Sequence, residues 1–389
     1  LLLHQQEEVD ISSVYSFLDR FHKRHKRKVE DIAFAQTKKV LDGDIAVVFY
    51  DMTTLYFEAE DEDDLRKIGF SKDGEFQHQQ IMLGLIVGEN GYPIAYDIYE
   101  GNTFKGHTLI PVIERVCERF GFKKPIIVAD SSLLSKSNLE QLAKQGYVFI
   151  FDARIKNEAN AVKQQTLSQA NGIKDGESFV VETPDKLRLV VSYSNRRAKK
   201  DASNRAEGLV RLESRIKTGK LTKKTIVNRG YNKFLKIESE VKGSIDASKI
   251  TENERWDGLK RYVTNSSLEP QQVIINYNHL WKIERAYSIS KSDLRIRPIY
   301  HRKKGRIEAH ICIAFVAYSV FKELEGLLCL ADVDLSPQKA IERTKTIFQV
   351  EINLPNSKKK ISTFSQINED HRLISERILP LVSPSGCTA

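Results

Sequence analysis

A chain of 389 residues with 41% hydrophobic and 29% charged residues has the make-up of a globular protein, which excludes a disordered chain, a collagen-like rod and a mainly membrane-embedded protein. Lys and Arg number 61 against 52 Asp and Glu, a net charge of +9 that suits a polyanionic partner such as nucleic acid or, more simply, serves solubility. The 4 cysteines show no C-x-x-C spacing, so neither a zinc site nor a disulfide framework is expected, and a reducing cytoplasm is the expected location.

In chain order, residues 10 to 42 read as two helices, because Val14, Phe17 and Leu18, then Ile32, Ala33 and Val40, recur near helical spacing around the basic run Arg20 to Lys28. That run is either a solvated face or a phosphate contact. The chain opens on Leu1 rather than a methionine, so the reading of this end is conditional on residues upstream. From Ile45 the pattern turns to strands: Ile45 to Tyr50, Gln79 to Val87, and, after the turn Glu89-Asn-Gly91, Ile94 to Tyr99, an antiparallel meander. A helix from His107 to Phe120 stops at Gly121; a short buried strand ends at Asp130; a helix spans Lys136 to Gln145; a further strand covers Tyr147 to Phe151.

The order β-β-β-α-β-α-β is that of an α/β ribonuclease H-like core, a mixed sheet flanked by helices. Beyond it, Phe179 to Glu182 and Leu187 to Ser192 read as a hairpin, followed by a polar, basic stretch from Asn195 to Lys242. Helical pattern returns near Asn276 and continues after Arg297-Pro298 to Leu330. It includes the longest apolar run, Ile311 to Phe321, a buried helix far short of the ~20 residues of a membrane span, so no membrane partner is expected. The expected organisation is a basic helical segment (1–43), the first part of the core (44–153), a β-rich basic insertion domain interrupting it (154–272), the second part of the core (273–335) and a tail (336–389).

Asp51 follows the first strand and Asp130 ends the fourth, the carboxyl ends at which α/β folds place ligands. A hard divalent cation takes oxygen ligands, which carboxylates supply, although either Asp alone also reads as a turn former. The helix expected from Tyr277 carries Tyr277, Glu284 and Lys291 seven apart, hence on one face; such a stripe is either a solvated side or a third carboxylate with a phosphate-binding lysine. His301 and His310 flank a basic loop and read as packed histidines rather than a metal pair.

These blocks resemble the DDE transposases of bacterial insertion sequences that carry a Tyr-x2-Arg-x3-Glu-x6-Lys signature. Tyr277, Glu284 and Lys291 match the signature, with Leu280 at the place of its arginine; Tyr50 to Thr54, Gly69 to Asp73, Gly101 to Thr103 and Val128 to Asp130 resemble the blocks around the two aspartates, in the same order. The resemblance implies cut-and-paste DNA transposition by Asp51, Asp130 and Glu284. These three would be both the catalytic residues and the ligands of two Mg²⁺ ions, with Mn²⁺ as a substitute. Lys291 and Tyr277 would grip the backbone of the transposon end, on double-stranded DNA bound by a homodimer. Arg196, Arg197, Lys199 and Lys200, read as a basic cluster with Arg205 and Lys223-Lys224, would add sequence-independent grip, with a solvated face as the plainer reading. Trp256 is either core or, as in relatives that cleave through a hairpin, a platform for an extruded base. Two alternatives share these residues: a nuclease that cuts without joining, and a relic that only binds DNA.

Overall fold

The computed structural model describes residues 10–41, 43, 45–57, 62–69, 78–121, 123–133, 135–153, 159–218, 230–237, 243–292, 294, 296–353, 360–364 and 368–382. Residues 70–73, Lys223 and Lys224 lie outside them, and with them part of the Gly69 block and of the basic cluster. The chain forms two compact units, one built from residues 1–123 and 281–389, the other from 124–280.

The first unit opens with α1 (Ile11–Arg24) and α2 (Lys26–Val40). The strands β1 (Val47–Tyr56), β2 (Lys67–Ile68), β3 (Gln79–Val87) and β4 (Pro93–Glu100) follow. Both β1 and β4 pair antiparallel with β3, the expected meander, with β2 pairing only at the start of β3. Asn90 and Gly91, both at positive φ, make the tight turn between β3 and β4. Every residue of β3 is buried, as befits a central strand. Gly84 is required there by close approach: a Cβ would lie 2.6 Å from the Tyr50 hydroxyl. α3 (Leu109–Phe120) ends at Gly121, whose φ of 63° supplies the left-handed cap.

β1 does not stop at Tyr50 but runs through Asp51 to Tyr56, because Met52, Thr54 and Leu55 are buried and paired along β3. Asp51 therefore sits inside a strand, and alternation decides its direction. The Thr108 hydroxyl, at the start of α3, accepts a hydrogen bond from the Tyr50 hydroxyl at 2.9 Å and lies 2.9 Å from the Met52 sulfur. Asp51 and Thr53 thus face the other side of the sheet.

The second unit begins with β5 (Ile126–Ala129), α4 (Lys136–Lys144), β6 (Val148–Asp152) and α5 (Asn160–Gln169). The hairpin β7 (Ser178–Glu182) and β8 (Arg188–Tyr193) comes next, then α6 (Asn195–Lys217). β9 (Leu235–Ile237), β10 (Gly243–Ile245), α7 (Ala247–Glu254), β11 (Leu259–Thr264) and α8 (Pro270–Asn278) complete it. Its mixed sheet runs β5-β6-β11-β8-β7: β5 and β6 are parallel, and every other pair is antiparallel. Helices α4, α5 and α8 pack against it.

The stretch from Asn195, expected as polar chain in a β-rich insertion, opens with a 23-residue helix. Leu209, Leu212 and Ile216 recur at helical spacing and pack against Phe234, Leu235, Ile245 and Ile250, a narrow apolar stripe among many charges. Arg205, counted with the exposed basic cluster, is buried: it grips Asp257 through two bonds of 2.6 and 2.7 Å, with Glu254 at 3.4 Å, and so ties α6 to the turn before β11.

The chain re-enters the first unit with α9 (Trp281–Ser292) and α10 (Lys304–Leu330), then α11 (Pro337–Thr344), the hairpin β12 (Gln349–Asn353) and β13 (Lys360–Phe364), α12 (Glu369–Arg377) and α13 (Leu379–Val382). At 27 residues α10 is about 40 Å long. It packs along α1 and α2, with Arg306 on Asp19 at 2.7 and 2.8 Å and the Tyr318 hydroxyl donating to the Gly91 carbonyl at 2.8 Å. Among the described residues no helix is long and apolar enough to cross a membrane. His301 and His310 pack edge to face with ring centres 5.3 Å apart.

Candidate active site

The site residues in the first unit are arranged by the packing of α9 on β1 and β3. Tyr287 is buried there, and its hydroxyl donates to the backbone carbonyls of Asp51 at 2.6 Å and Leu83 at 3.1 Å. One turn on, the Lys291 ammonium donates to the Thr53 hydroxyl at 2.6 Å. From Tyr287 to Lys291 a helix rises about 6 Å, and from Asp51 to Thr53 a strand rises about 6.6 Å. The two contacts therefore keep step, and α9 runs alongside β1 in the same direction.

Glu284 lies one turn before Tyr287 on the same face, i and i+3, and is exposed. Asp51 is half-buried with its Oδ1 buried, on the face of β1 that bears Thr53. Burial and the Asp51 charge push the Tyr287 hydroxyl well above its ordinary range, so it stays a neutral donor. Sequence reading did not assign Tyr287 or Thr53. The signal available was the tyrosine three residues after Glu284, which helical geometry puts over the same strand.

Tyr277 does not share the helix expected for it. α8 ends at Asn278 and α9 starts at Trp281, so Tyr277 stands on a different helix from Glu284 and Lys291, and the seven-residue spacing does not define a common face. The Leu280 amide hydrogen bonds the Tyr277 carbonyl at 2.9 Å, closing a tight turn where one helix was expected. The Tyr277 ring is buried against Tyr262, centres 4.9 Å apart, with the Lys260 ammonium 4.5 Å from its centre.

In the second unit Asp130 follows β5, its carbonyl accepting from Leu133 in a 3-10 turn. The parallel register pairs Ala129 with Phe151, so Asp130 falls level with Asp152, the last residue of β6. Burial raises the Asp152 carboxyl above the ordinary carboxylate range; Lys260 opposes the rise, the Asp130 charge adds to it, and Arg261 and Arg197 oppose it. Arg196, Arg197, Lys199 and Lys200 are exposed on the first turns of α6, with Arg197 3.8 Å from Asp201. Trp256 is half-buried with the Arg261 guanidinium 5.7 Å from its ring centre. It also lines a cavity of about 530 Å³ with Lys163, Lys233, Phe234, Lys249 and Arg255.

The structure thus places Asp51, Glu284 and Lys291 around the α9–β1 seam and Asp130 at a strand end of the other unit. Among the described residues no three His, Cys, Asp or Glu side chains are gathered closely enough to hold a metal ion. The donor chemistry nevertheless fits one: all three candidates are carboxylates, the ligands a hard divalent cation takes.

Solved structures with some likeness to the chain include the piggyBac transposase synaptic complex with hairpin DNA, at 10% identity and a TM-score of 0.44, over 85% of this chain and 57% of that one. The Mos1 transposase paired-end complex with left transposon end gives 12% identity and a TM-score of 0.20, over 38% and 44%. The chain thus spans little more than half the length of the piggyBac chain and less than half of the Mos1 chain. No curated protein matches it in sequence. Residues 42–320, most of the chain and the segment that carries every candidate residue named above, match the transposase DDE domain, and the chain belongs to that family.

Proposed function

We propose that this protein is a transposase that cuts and joins DNA by metal-dependent phosphodiester hydrolysis and strand transfer, with Asp51, Asp130 and Glu284 as the carboxylates of the site. The observation that carries the reading is the family match together with the α9–β1 seam, in which a DDE-family glutamate helix is bolted to the strand of the first aspartate at Asp51 and Thr53. The family generally uses a divalent metal. When bound, Mg²⁺ supplies charge for the attacking and leaving oxygens of an in-line displacement, and a pair of ions, replaceable by Mn²⁺, is the arrangement we favour.

The residues of the chain divide the remaining work. The three carboxylates hold the cations. Lys291, fixed by Thr53, sets a positive charge beside the seam, where a phosphate of the transposon end would lie. Arg196, Arg197, Lys199 and Lys200 present a row of exposed cations on α6 that suits the backbone of double-stranded DNA without reading bases. Trp256, which lines a cavity together with four cations, offers a face on which a base can stack. Two copies on DNA would bring two ends together, and the cytoplasm is the compartment in which a bacterial element meets its DNA.

The test is incubation with candidate end sequences in Mg²⁺. Nicking followed by joining to a target supports a transposase; nicking without joining points to a nuclease, and binding without nicking to a relic. Asp130→Asn and Glu284→Gln should abolish cleavage while DNA affinity stays within about threefold, since an amide keeps the shape and loses the charge that holds a hard cation. Full cleavage by both variants would place the chemistry elsewhere.

A further inference from the structure

The basic run from Arg20 to Lys28 has no part in the site described above, yet the fold gives it a neighbour. Asp19 accepts from Arg306 at 2.7 and 2.8 Å, the His22 ring nitrogen lies 3.0 Å from a Glu308 oxygen, and a Cβ on Gly305 would come within 3.1 Å of the same ring. The end of α1 is thereby pinned to the start of α10, although His22 and Glu308 are 286 positions apart. Both helices belong to the first unit.

Six exposed cations stand around this junction: Arg20, Lys23 and Arg24 on α1, and Arg302, Lys303 and Lys304 where α10 begins. The three on α1 follow i, i+3, i+4 spacing and share one face. The acids nearby are already held, Asp19 by Arg306 and Glu308 by His22 and, at 3.8 Å, by Lys26. Among the described residues none of the six cations is in an ion pair. Two local features are also at odds with stability alone. Cations are unfavourable at the positive end of a helix dipole, yet α10 has Lys303 as its cap residue and Lys304 as its first residue, with no acid in the first turn. Tyr300, beside them, is 72% exposed. Phosphate answers both, since it is an anion and a tyrosine hydroxyl donates to its oxygens. Local rules are broken mainly at functional sites.

We infer that the α1–α10 junction is a second DNA-binding surface, on which these six cations hold phosphates of a duplex backbone. It lies wholly in the first unit, whereas the row on α6 belongs to the second. The choice of DNA among polyanions rests on the transposase reading. The contacts go to phosphate and carry no base preference.

The test is binding of the full chain to a fluorescently labelled DNA duplex of arbitrary sequence at several KCl concentrations. Two triple variants are compared with wild type: Arg20→Ala with Lys23→Ala and Arg24→Ala, and Arg302→Ala with Lys303→Ala and Lys304→Ala. A control triple replaces Lys39, Lys339 and Lys345, exposed cations elsewhere in the first unit, by Ala. Each lost phosphate contact lowers the log–log salt slope by about 0.9, so each junction variant should lose between about 0.9 and about 2.7 while the control keeps the wild-type slope. In acetylation footprinting of the wild type, bound duplex should slow modification of Lys23, Lys303 and Lys304 and leave Lys39 as reactive as before.

A wild-type slope in either junction variant overturns the inference. So does an equal loss in the control, which would reduce the effect to net charge. If a junction variant does not fold, the footprint decides, and unprotected Lys23 and Lys303 in the bound wild type overturn the inference. Tighter junction-dependent binding to an RNA duplex than to DNA overturns the choice of partner. Failure of the transposase reading looks different: the duplex binds through the junction, yet the wild type nicks no DNA in Mg²⁺.

Discussion

Replacing Tyr287 with Phe tests how α9 is fastened to β1. The substitution keeps the ring, which is buried between the helix and the sheet, and removes only the hydroxyl that donates to the Asp51 and Leu83 carbonyls at 2.6 and 3.1 Å. A neutral hydrogen bond contributes about 1 kcal/mol net, while leaving a buried carbonyl poorly satisfied raises the cost toward 3 kcal/mol, so a loss of about 1 to 3 kcal/mol is expected for the first unit. The chain has 2 tryptophans, Trp256 in the second unit and Trp281 at the start of α9. In a Trp256→Phe background, Trp281 fluorescence in a urea titration therefore reports the unfolding of the first unit. The midpoint should fall with the slope unchanged, since the surface exposed on unfolding is the same. An unchanged midpoint would mean that apolar packing alone seats α9. If the proposed chemistry is right, cleavage should drop more than the folded fraction does, because Glu284 rides on the same helix one turn away.

Other consequences are open to measurement. Arg205→Ala leaves the half-buried Asp257 without its bidentate partner and should destabilise the second unit by about 1 to 3 kcal/mol, read by Trp256 fluorescence in urea in a Trp281→Phe background; an unchanged midpoint would show the pair to be dispensable. Replacing Arg196, Arg197, Lys199 and Lys200 together by Ala should weaken binding to all DNA sequences alike, each lost phosphate contact lowering the log–log salt slope by about 0.9; an unchanged slope would make this row a solvated face. Burial holds His301 and His310 below the usual histidine value of 6.5, so the folded first unit resists their protonation. The unfolded chain then binds more protons below that value, and stability should fall as the pH drops from 7 toward 5. His310→Gln should flatten this slope in urea melts at each pH, and a slope unaltered in His310→Gln would assign the acid sensitivity elsewhere.

Much of the fold was legible because its strands are strongly patterned. The continuous apolar run Gln79 to Val87, the Asn-Gly turn and the Gly121 stop each carry a local physical cause, and the structure places β3, the β3–β4 turn and the end of α3 there. The long helix α6 was hidden for an equally physical reason. Only a narrow stripe, Leu209, Leu212 and Ile216, packs inward, and charged residues crowd the remaining positions, so periodicity is weak against the background of charge. Its hydrophobic partners on β9, β10 and α7 lie far along the sequence. Arg205 could not be told from its exposed neighbours without knowing that Asp257 folds back against it.

The site divides along the same line, between what spacing can express and what only tertiary contact decides. Spacing seven apart on a presumed single helix grouped Tyr277 with Glu284 and Lys291, yet the turn at His279 and Leu280 separates them, and no glycine or proline marks that turn. What keeps Glu284 and Lys291 in a defined relation to Asp51 is Tyr287, a residue whose role depends on two backbone carbonyls more than 200 positions away. A backbone acceptor carries no side-chain identity, so no motif can encode it. Candidate ligands were thus found by residue type at strand ends and on a helix face, while the groups that position them follow from which strand lies beside which.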